Sequence, residues 1–431
     1  MQQDNHDRPA AARPRPAQSS RAAQGSRASQ GSHPAQGKAP AKRRPPVQDK
    51  RKRAPASGLF ERKAKAEAKP MNRAEQRAAR ARLQRKKKIK RILGRVGLSL
   101  GTAVALILVA ALGAGRVAFK GPSQSLADLL TVSMLETSAL KFVPRLYYSK
   151  DEVAQIVARN EVGALDSETD TDMIVIAGPT PEPGSEEALR ATPKPSNLLF
   201  SEDGIEIFDV QGATYNGWMM VVQDPSRVIT GVCRDSFSSK PGLELYEIAQ
   251  RYDAVAAVNG GGFSDSGGVG NGGRPIGLVI SEGKLLNKST SDEDHNTVVG
   301  FNRDNKLIIG KMTSTEAEKK GLRDALSFGP ALVVNGKGAE VRGSSSGLNP
   351  RTAIGQRADG AVLMLVIDGR QASSLGATYA DLISVLLEYG AVNACNLDGG
   401  SSSLMYYKGE YLNRGVILTG SRKMPTGFVV R

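Results

Sequence analysis

The chain has 431 residues, enough for two or three ordinary domains, and its formal net charge is +16 at pH 7. Residues 1–95 contain 28 Lys and Arg against 6 Asp and Glu, so the other 336 residues together carry a charge of −6. The positive net charge therefore comes from the N-terminal tail, and it gives no information about what the rest of the chain binds. Only three histidines are present, and only His295 lies beyond the tail, which excludes a zinc site built from several histidines there.

The first 95 residues are predicted to be a disordered basic tail. They are rich in Ala, Gln, Pro, Ser and Arg, and large apolar side chains are almost absent before Leu59. Such a segment buries too little apolar surface to offset its chain entropy, although residues 72–95 could form a basic helix. Nucleic acid is disfavoured as the partner of this charge, because anionic lipid headgroups beside a membrane segment explain it more simply.

Residues 96–115 are 20 consecutive residues without a charge, which as a helix span about 30 Å, the thickness of a bilayer core. The 15 residues before them contain eight Lys and Arg, and the 15 that begin at Arg116 contain two. This asymmetry predicts a signal anchor at residues 96–118, with the N-terminus in the cytoplasm and the rest of the chain outside. A cleaved secretory signal peptide is the alternative, which a leader of some 95 residues disfavours.

A helical neck is predicted over residues 119–160, with a helix that starts at Ser149 and has Asp151 and Glu152 in its first turn. Residues 161–196 are acidic and rich in proline, which is typical of a linker. Two cysteines follow, Cys233 and Cys395, each within an apolar run. A disulfide and two buried thiols both fit that pattern.

Residues 197–431 have the pattern of apolar runs and turn residues that is typical of one globular domain. Two helical patterns cover residues 243–252 and 378–389. Strands are predicted for the short apolar runs bounded by Gly, Asn, Asp and Pro: 218–222, 228–232, 254–258, 276–280, 298–301, 307–309, 331–334, 361–367 and 427–430. Together these elements predict an α+β (mixed α/β) fold, a twisted mixed β-sheet domain with few helices, preceded by the disordered tail and one transmembrane helix.

The most informative stretch is NLDGGSSSLMYY at residues 396–407, which predicts a strand, a tight turn and a second strand. Asp398 stands at the turn, and an ordinary Asp-Gly hairpin is the alternative interpretation. The apolar run AVLMLVI repeats the design, because it ends on Asp368, Gly369 and Arg370. Two carboxylates at the ends of two buried strands joined by one helix are expected at the same sheet edge. Acid/base or metal chemistry needs that arrangement.

Two further segments carry polar groups. The run AVNGGGF puts Asn259 and three glycines at a strand end, either to wrap a ligand or as a surface loop. Arg351 follows a proline in NPRTAIG, and arginine is suited to a bidentate grip on phosphate. The oxygens of Asn259, Asp368 and Asp398 leave a divalent cation open, but their spacing implies no definite cofactor or metal site. His295 fits a polar residue at a strand start better than a catalytic base.

The blocks AVNGGGF, RPIGLVISEGKLL, NPRTAIG, LVIDGR and NLDGGSSS occur in this order within residues 198–431. Together they resemble the phosphodiester glycosidase domain, the family named after the lysosomal uncovering enzyme that removes N-acetylglucosamine from a sugar phosphodiester. The anchor and neck resemble bacterial membrane-bound members linked to exopolysaccharide or cell-wall metabolism. Asp265 is displaced by one position from the family's pattern, and SRKMPTGF, which contains Arg422, is a weak match to the family's closing segment.

The resemblance implies an extracytoplasmic, membrane-anchored hydrolase that cleaves sugar-1-phosphodiester linkages in cell-surface glycans or exopolysaccharide. It implies catalytic roles for Asp398, Asp368 and Arg351, with Arg351 on the phosphate and either carboxylate activating water. The other matching positions, implied to bind substrate, are Asn259, Gly260, Gly261, Thr352, Arg370, Gly399, Ser401 and Ser402. A non-catalytic protein that binds or scaffolds glycans in exopolysaccharide or cell-wall assembly is the alternative.

Overall fold

The computed structural model describes residues 72–137, 139–165, 167–176, 197–264, 271–288, 296–413 and 422–431. The predictions for residues 1–71, for most of the linker, and for Asp265 and His295 lie outside this part of the chain. The chain divides after Ile89 into two units, and everything from Lys90 onward belongs to the second.

Six α-helices occur in the described residues. Helix α3 starts where the sequence predicts, because the Ser149 side chain and Glu152 form a reciprocal capping box at its first turn. The helices are α1 Arg73–Lys120, α2 Gln124–Leu135, α3 Lys150–Ala158, α4 Leu245–Arg251, α5 Ser314–Lys319 and α6 Tyr379–Glu388.

Helix α1 contains the apolar stretch identified in the sequence. Its most apolar 18-residue window has a mean hydropathy of 2.3, and none of that window is buried in the structure. By length and composition α1 is therefore able to cross a membrane, as an anchor or as part of a signal sequence.

Twenty strands build the remainder, and their pairings are all antiparallel among the described residues. The strands are β1 Leu198–Glu202, β2 Ile205–Gln211, β3 Asn216–Val222, β4 Val228–Val232, β5 Ala256–Asn259, β6 Phe263–Ser264, β7 Arg274–Pro275, β8 Val279–Ser281, β9 Lys284–Asn287, β10 Asn296–Asn302, β11 Leu307–Met312, β12 Leu322–Ser327, β13 Ala331–Val334, β14 Lys337–Gly338, β15 Arg351–Arg357, β16 Val362–Ile367, β17 Ala391–Leu397, β18 Met405–Tyr407, β19 Glu410–Tyr411 and β20 Thr426–Val430.

The strands form one large sheet and three smaller ones. The eight-stranded sheet, called the central sheet below, has the order β1-β2-β3-β16-β15-β17-β13-β14. Two five-stranded sheets have the orders β11-β10-β12-β8-β9 and β19-β18-β5-β20-β4, and the latter is called the side sheet below. Strands β6 and β7 form a two-stranded ribbon. The predicted α+β class with few helices is confirmed.

The central sheet is covered on both faces, which explains why the β16 sequence is continuously apolar. Val362, Met364 and Val366 pack into the core shared with the two five-stranded sheets. The alternating residues Leu363 and Leu365 pack into the core beneath α6. Because successive side chains of a strand point to opposite faces, a strand buried on both sides contains no polar residue at alternate positions.

Helix α6 connects β16 to β17 and covers one face of the central sheet. A capping box joins Thr378 and Asp381 at its start, and the predicted apolar face packs inward. Leu382, Leu386 and Tyr389 are among its buried residues. The helix thus carries the chain from the end of one buried strand to the start of another, past the strand that lies between them.

Candidate active site

Asp368 and Asp398 lie at the same edge of the central sheet. Strand β15 lies between β16 and β17, with Arg351 opposite Ile367 on one side and Thr352 opposite Leu397 on the other. Each aspartate is the residue after its strand, so the two carboxylates flank the start of β15. Two strand spacings separate their backbones, which corresponds to about 10 Å.

The turn that carries Asp398 connects two sheets. Strand β17 pairs with β15 and β13 in the central sheet, whereas β18 pairs with β5 and β19 in the side sheet. The hairpin alternative is therefore wrong, because the two strands that flank the turn do not pair with each other. Residues 398–404 instead cross between sheets, and Asp398 is partly exposed at the start of the crossing.

Asn259 stabilises the segment 398–404 through hydrogen bonds from the interior of the protein. Its Nδ2 donates to the Asp398 carbonyl at 2.6 Å, and its Oδ1 accepts from Thr352 Oγ1 at 2.7 Å and from the Leu404 backbone at 3.1 Å. Asn259 is 1% exposed and Thr352 is fully buried. Both residues are thus used to hold the turn against β15, and their polar atoms point away from solvent.

The glycines that match the family's motifs lie where backbones approach closely. A Cβ on Gly260 would come within 2.6 Å of Thr426 Oγ1, and one on Gly261 within 2.9 Å of the Ser327 carbonyl oxygen. A Cβ on Gly399 would lie 2.9 Å from the Pro350 carbonyl oxygen. These contacts leave no room for a side chain, so the glycines allow the sheets to approach each other at the site.

Asp368 is buried, with 8% of its surface exposed. Its Oδ1 accepts a hydrogen bond from Asn413 Nδ2 at 3.0 Å, and the same Nδ2 donates to the Ser403 carbonyl at 2.7 Å. Burial raises the pKa of the Asp368 carboxyl, and the bond from Asn413 only partly opposes that rise. A carboxyl in this environment is suited to hold a proton.

Arg351 faces inward and is 3% exposed. Its Nε donates to the Ala377 carbonyl at 3.3 Å, and its Nη2 donates to the carbonyls of Ser346 and Gly347. The guanidinium also lies 4.2 Å from the centre of the Tyr379 ring. Most of its donors are therefore engaged by the protein, so Arg351 holds the loop before β15 in place.

The remaining Arg351 nitrogen pairs with a residue of the neck. Nη1 lies 3.0 Å from Glu136 Oε2, just beyond the end of α2. The same oxygen accepts from Asn349 Nδ2 at 2.8 Å. Burial raises the pKa of Glu136, and the charge of Arg351 opposes this rise.

Arg370 is the more accessible arginine of this edge. Its Nη2 donates to Asn349 Oδ1 at 2.9 Å, while its Nε has no hydrogen-bond partner among the described residues. Arg370 has a φ of +57°, and Gly400 has a φ of +66°. A Cβ on Gly400 would lie 3.1 Å from Arg370 Nη1, so the guanidinium stands directly over the turn.

Arg422, near the C-terminus, contacts the serines of the same turn. Its Nη1 donates to Ser401 Oγ at 3.0 Å and to Ser402 Oγ at 3.3 Å, and its guanidinium lies 4.8 Å from the centre of the Phe263 ring. Ser402 is buried, whereas Ser401 is partly exposed. The weakly matching closing segment therefore still brings an arginine to the serine turn.

The three arginines form a cluster of positive charge at this edge, which the carboxyl groups of Glu136, Asp368 and Asp398 offset. Burial lowers the pKa of Arg370, the charges of Arg351 and Arg422 lower it further, and Glu136 opposes the shift. An anion placed over the turn would relieve this repulsion. The same edge therefore combines two carboxyl groups with a cluster of guanidinium groups that favours an anionic ligand.

Most residues of the candidate site are predicted from the sequence, but three are not. Asn413 and Glu136 lie outside the recognised blocks, and Asn349, the first residue of NPRTAIG, is not among the candidate residues. Each of the three nevertheless contacts a candidate side chain. Glu136 does leave one signal, since an acidic residue at the C-terminal end of a helix opposes the helix dipole and so indicates a specific partner.

In the described part of the chain, no group of three or more His, Cys, Asp and Glu side chains is placed to hold a metal ion. The Oδ1 of Asn259, one of the oxygens considered for a cation, already accepts two hydrogen bonds. Cys233 and Cys395 are both buried as free thiols, so the disulfide alternative is wrong.

A sheet-edge site with two carboxyl groups and several arginines is suited to bind an anionic ligand. Comparison with known families adds a specific match, because residues 252–431 match the phosphodiester glycosidase family. The resemblance seen in the sequence is thus confirmed for this region, which contains both aspartates and all three arginines.

Three curated relatives are similar over part of their length. The SPbeta prophage-derived protein YomE of Bacillus subtilis is 33% identical over 181 residues, covering 39% of this chain and 27% of YomE. N-acetylglucosamine-1-phosphodiester alpha-N-acetylglucosaminidase from Bos taurus is 27% identical over 190 residues, and the Homo sapiens protein is 29% identical over 181 residues. These two alignments cover 40% and 38% of this chain and 34% of each relative. The chain thus spans about a third or less of the length of each.

Two solved structures are also similar. The catalytic domain of zebrafish N-acetylglucosamine-1-phosphodiester alpha-N-acetylglucosaminidase, auto-inhibited by its pro-peptide, matches with a TM-score of 0.45 at 20% identity, over 56% of this chain and 85% of that one. A hypothetical protein from Synechocystis matches with a TM-score of 0.42 at 15% identity, over 53% of this chain and 62% of that one.

Proposed function

We propose that this protein is a membrane-anchored, extracytoplasmic glycosidase that hydrolyses sugar-1-phosphodiester linkages in cell-surface glycans or exopolysaccharide. The observation that carries the proposal is the meeting of Asp368, Asp398 and Arg370 at one edge of the central sheet. The family match over residues 252–431 supports the reaction class. The names of the bovine and human relatives support a sugar phosphodiester as substrate.

The arginines are proposed to bind the phosphodiester. Arg370 and Arg422 lie on either side of the Gly400 to Ser402 turn and are partly exposed. Arg351 is buried and already engaged, so we assign it to the support of the site and not to direct contact with phosphate. The Ser401 hydroxyl, held by Arg422, is available to a substrate oxygen.

The chemistry requires one bond to break at the anomeric carbon. Water attacks C1, the bond from C1 to the phosphate oxygen breaks, and its electron pair leaves with the phosphate monoester. We assign Asp398, which is partly exposed, to accept the proton of the attacking water. Because a phosphate monoester is a good leaving group, stabilisation of its charge by arginine matters more than its protonation.

Asp368 is proposed to act as the second carboxyl of the pair. Burial raises its pKa, so it is suited to keep a proton and to donate it to a substrate oxygen. Since acid assistance is the smaller requirement, loss of this carboxyl is expected to reduce turnover less than loss of Asp398.

The test uses the full chain in lipid nanodiscs and a panel of α- and β-linked sugar-1-phosphodiesters, with release of the phosphate monoester as the measured quantity. We expect turnover of at least one substrate, and a loss of about 10²- to 10⁴-fold in kcat for Asp398→Asn. Asp359→Asn is the matched control, because Asp359 lies in the turn between β15 and β16, at the opposite end of these strands. Binding without turnover by the wild type would instead support the non-catalytic, glycan-binding alternative.

The anchor is part of the same proposal. Helix α1 is proposed to cross the cell membrane once, with the basic residues before Val96 on the cytoplasmic side beside anionic lipid headgroups. In right-side-out vesicles, external protease is expected to degrade the domain after residue 197 and to spare a tag placed at Met1. Protection of the domain would contradict this orientation.

A further inference from the structure

Glu136 occupies a position that local helix physics disfavours. It is the C-terminal cap of α2, where the helix dipole repels a negative charge. Its side chain is nevertheless directed at the arginine cluster, 3.0 Å from Arg351 Nη1. A residue that is unfavourable in its own helix but well paired across the fold is a candidate for a functional role.

One oxygen of Glu136 helps to fix the orientation of Asn349, together with the Ser346 carbonyl, to which Asn349 Nδ2 also donates at 3.1 Å. Oε2 accepts from Asn349 Nδ2 at 2.8 Å, and Asn349 Oδ1 in turn accepts from Arg370 Nη2 at 2.9 Å. Asn349 is 2% exposed, so water cannot readily replace either partner. If the amide group turned over, it would present its NH₂ group to the guanidinium of Arg370 and lose all three hydrogen bonds.

The rest of α2 holds Glu136 in place against the same loop. Ser133, one turn earlier on the same helix face, accepts from the Leu348 backbone at 2.9 Å. Asp128, earlier still, forms two hydrogen bonds with Arg159 of the neck, at 2.5 and 2.6 Å. Helix α2 is therefore held at Asp128, away from Arg351 and Arg370, and again at Ser133, one turn before Glu136.

We propose that Glu136 is a positioning residue of the active site, which orients Arg370 over the substrate phosphate through Asn349. The inference rests on the proposed function and extends it, because it makes the neck a working part of the site. The catalytic unit would then begin before residue 136 and not at the start of the β-domain.

The test compares Glu136→Ala with Glu136→Gln in the full chain. Both Asn349 and Arg351 contact Oε2, so the amide oxygen of glutamine can replace that atom without the charge. We expect Glu136→Ala to lower kcat/KM by about tenfold, and Glu136→Gln to stay within about threefold of the wild type. Asp128→Asn is the control in the same helix and should leave kcat/KM nearly unchanged.

A double-mutant cycle distinguishes positioning from a general structural role. If Glu136 acts through Arg370, Glu136→Ala should have little further effect in an Arg370→Ala background. An undiminished effect in that background would overturn the inference, as would an equal loss in Asp128→Asn. Increased activity of Glu136→Ala would also overturn it, because the carboxylate would then be competing with the substrate.

A binding measurement keeps this test separate from the test of the proposed function. Inorganic phosphate is titrated into the full-chain wild type and Glu136→Ala by calorimetry. We expect about tenfold weaker binding by the variant, whether or not any sugar phosphodiester is turned over. Equal or tighter phosphate binding by Glu136→Ala would refute the positioning role, while a wild type inactive on the whole panel would refute only the proposed reaction.

Discussion

The candidate site has an inner and an outer layer that differ in how their polar groups are used. The inner layer is almost completely buried, and its side chains make hydrogen bonds within the protein: Asn259, Arg351 and Thr352. The outer layer is partly exposed and faces the Gly400 turn: Asp398, Arg370, Ser401 and Arg422. The recognisable sequence blocks contribute residues to both layers, and only Arg422 comes from the weakly matching closing segment.

Membership of a motif therefore does not show whether a residue takes part in the chemistry or supports the site. Asn259 and Arg351 belong to the blocks that resemble the family, yet their functional groups hold the Asp398 turn and the loop before β15. Arg422 belongs to a weak match but reaches the serines of the turn. Burial and hydrogen-bond partners, and not the motif itself, assign each residue to a layer.

The largest effect is expected for Arg351→Ala, and it should fall on stability. Truncation removes the partner of Glu136, whose side chain is 34% exposed, and leaves three backbone carbonyls without the hydrogen bonds that Arg351 donates. Each buried acceptor left without its partner costs about 1–3 kcal/mol. Thermal unfolding of the full chain should therefore show a clear fall in Tm. An unchanged Tm with a raised KM would instead place Arg351 in the outer layer, and the assignment of buried residues to a supporting role would be wrong.

Arg370→Ala and Arg422→Ala should have the opposite signature. Each side chain is partly exposed, so Tm should change little, while KM for a sugar-1-phosphodiester should rise about tenfold, the effect of losing about 1.4 kcal/mol of binding. Lys423→Ala is the control for Arg422, because Lys423 is the exposed neighbour on the same segment. A large fall in Tm with KM unchanged would show that these arginines support the fold.

The smallest effect concerns pH and Asp368. Burial raises the pKa of this carboxyl above its ordinary 3.8, so the folded protein retains a proton that the unfolded chain releases. Stability should therefore decline as pH rises from about 4 through the raised pKa, by about 1.4 kcal/mol for each pH unit of that elevation. The side chain of Asp368→Asn cannot ionise. The Tm of this variant should therefore rise relative to the Tm of the wild type as the pH increases over this range. If the Tm of the wild type and of Asp368→Asn changed in parallel with pH, the burial of an ionisable carboxyl at this position would be contradicted.

Much of the fold follows from the sequence because its signals are local. The apolar runs at β4 and β13 match the strand bounds in the structure, and the α6 pattern gives the helix and its buried face. The shared edge of Asp368 and Asp398 also follows, since a strand, a helix and a second strand carry them. In contrast, β2, β12 and the short helix α5 are not predicted, although α5 begins with a Thr313–Glu316 capping box of the same kind as that at Ser149.

The remaining parts of the site depend on contacts between distant segments. Glu136 lies more than 200 residues before the arginines that it pairs with. Asn413 becomes important only because β18 brings its segment beside Asp368. That β17 and β18 belong to different sheets is likewise a property of the assembled fold, so a local pattern could not exclude a hairpin at Asp398.

The position of β15 between β16 and β17 has a consequence for tolerance to change. The gap between the two aspartates is set by the width of one intervening strand, and the intervening segment of about 20 residues, including α6, only returns the chain to the sheet. Insertions or deletions at the ends of α6 should thus leave the distance between the carboxyl groups intact. Relatives with crossovers of different length could keep the same separation of acids around differently shaped entrances.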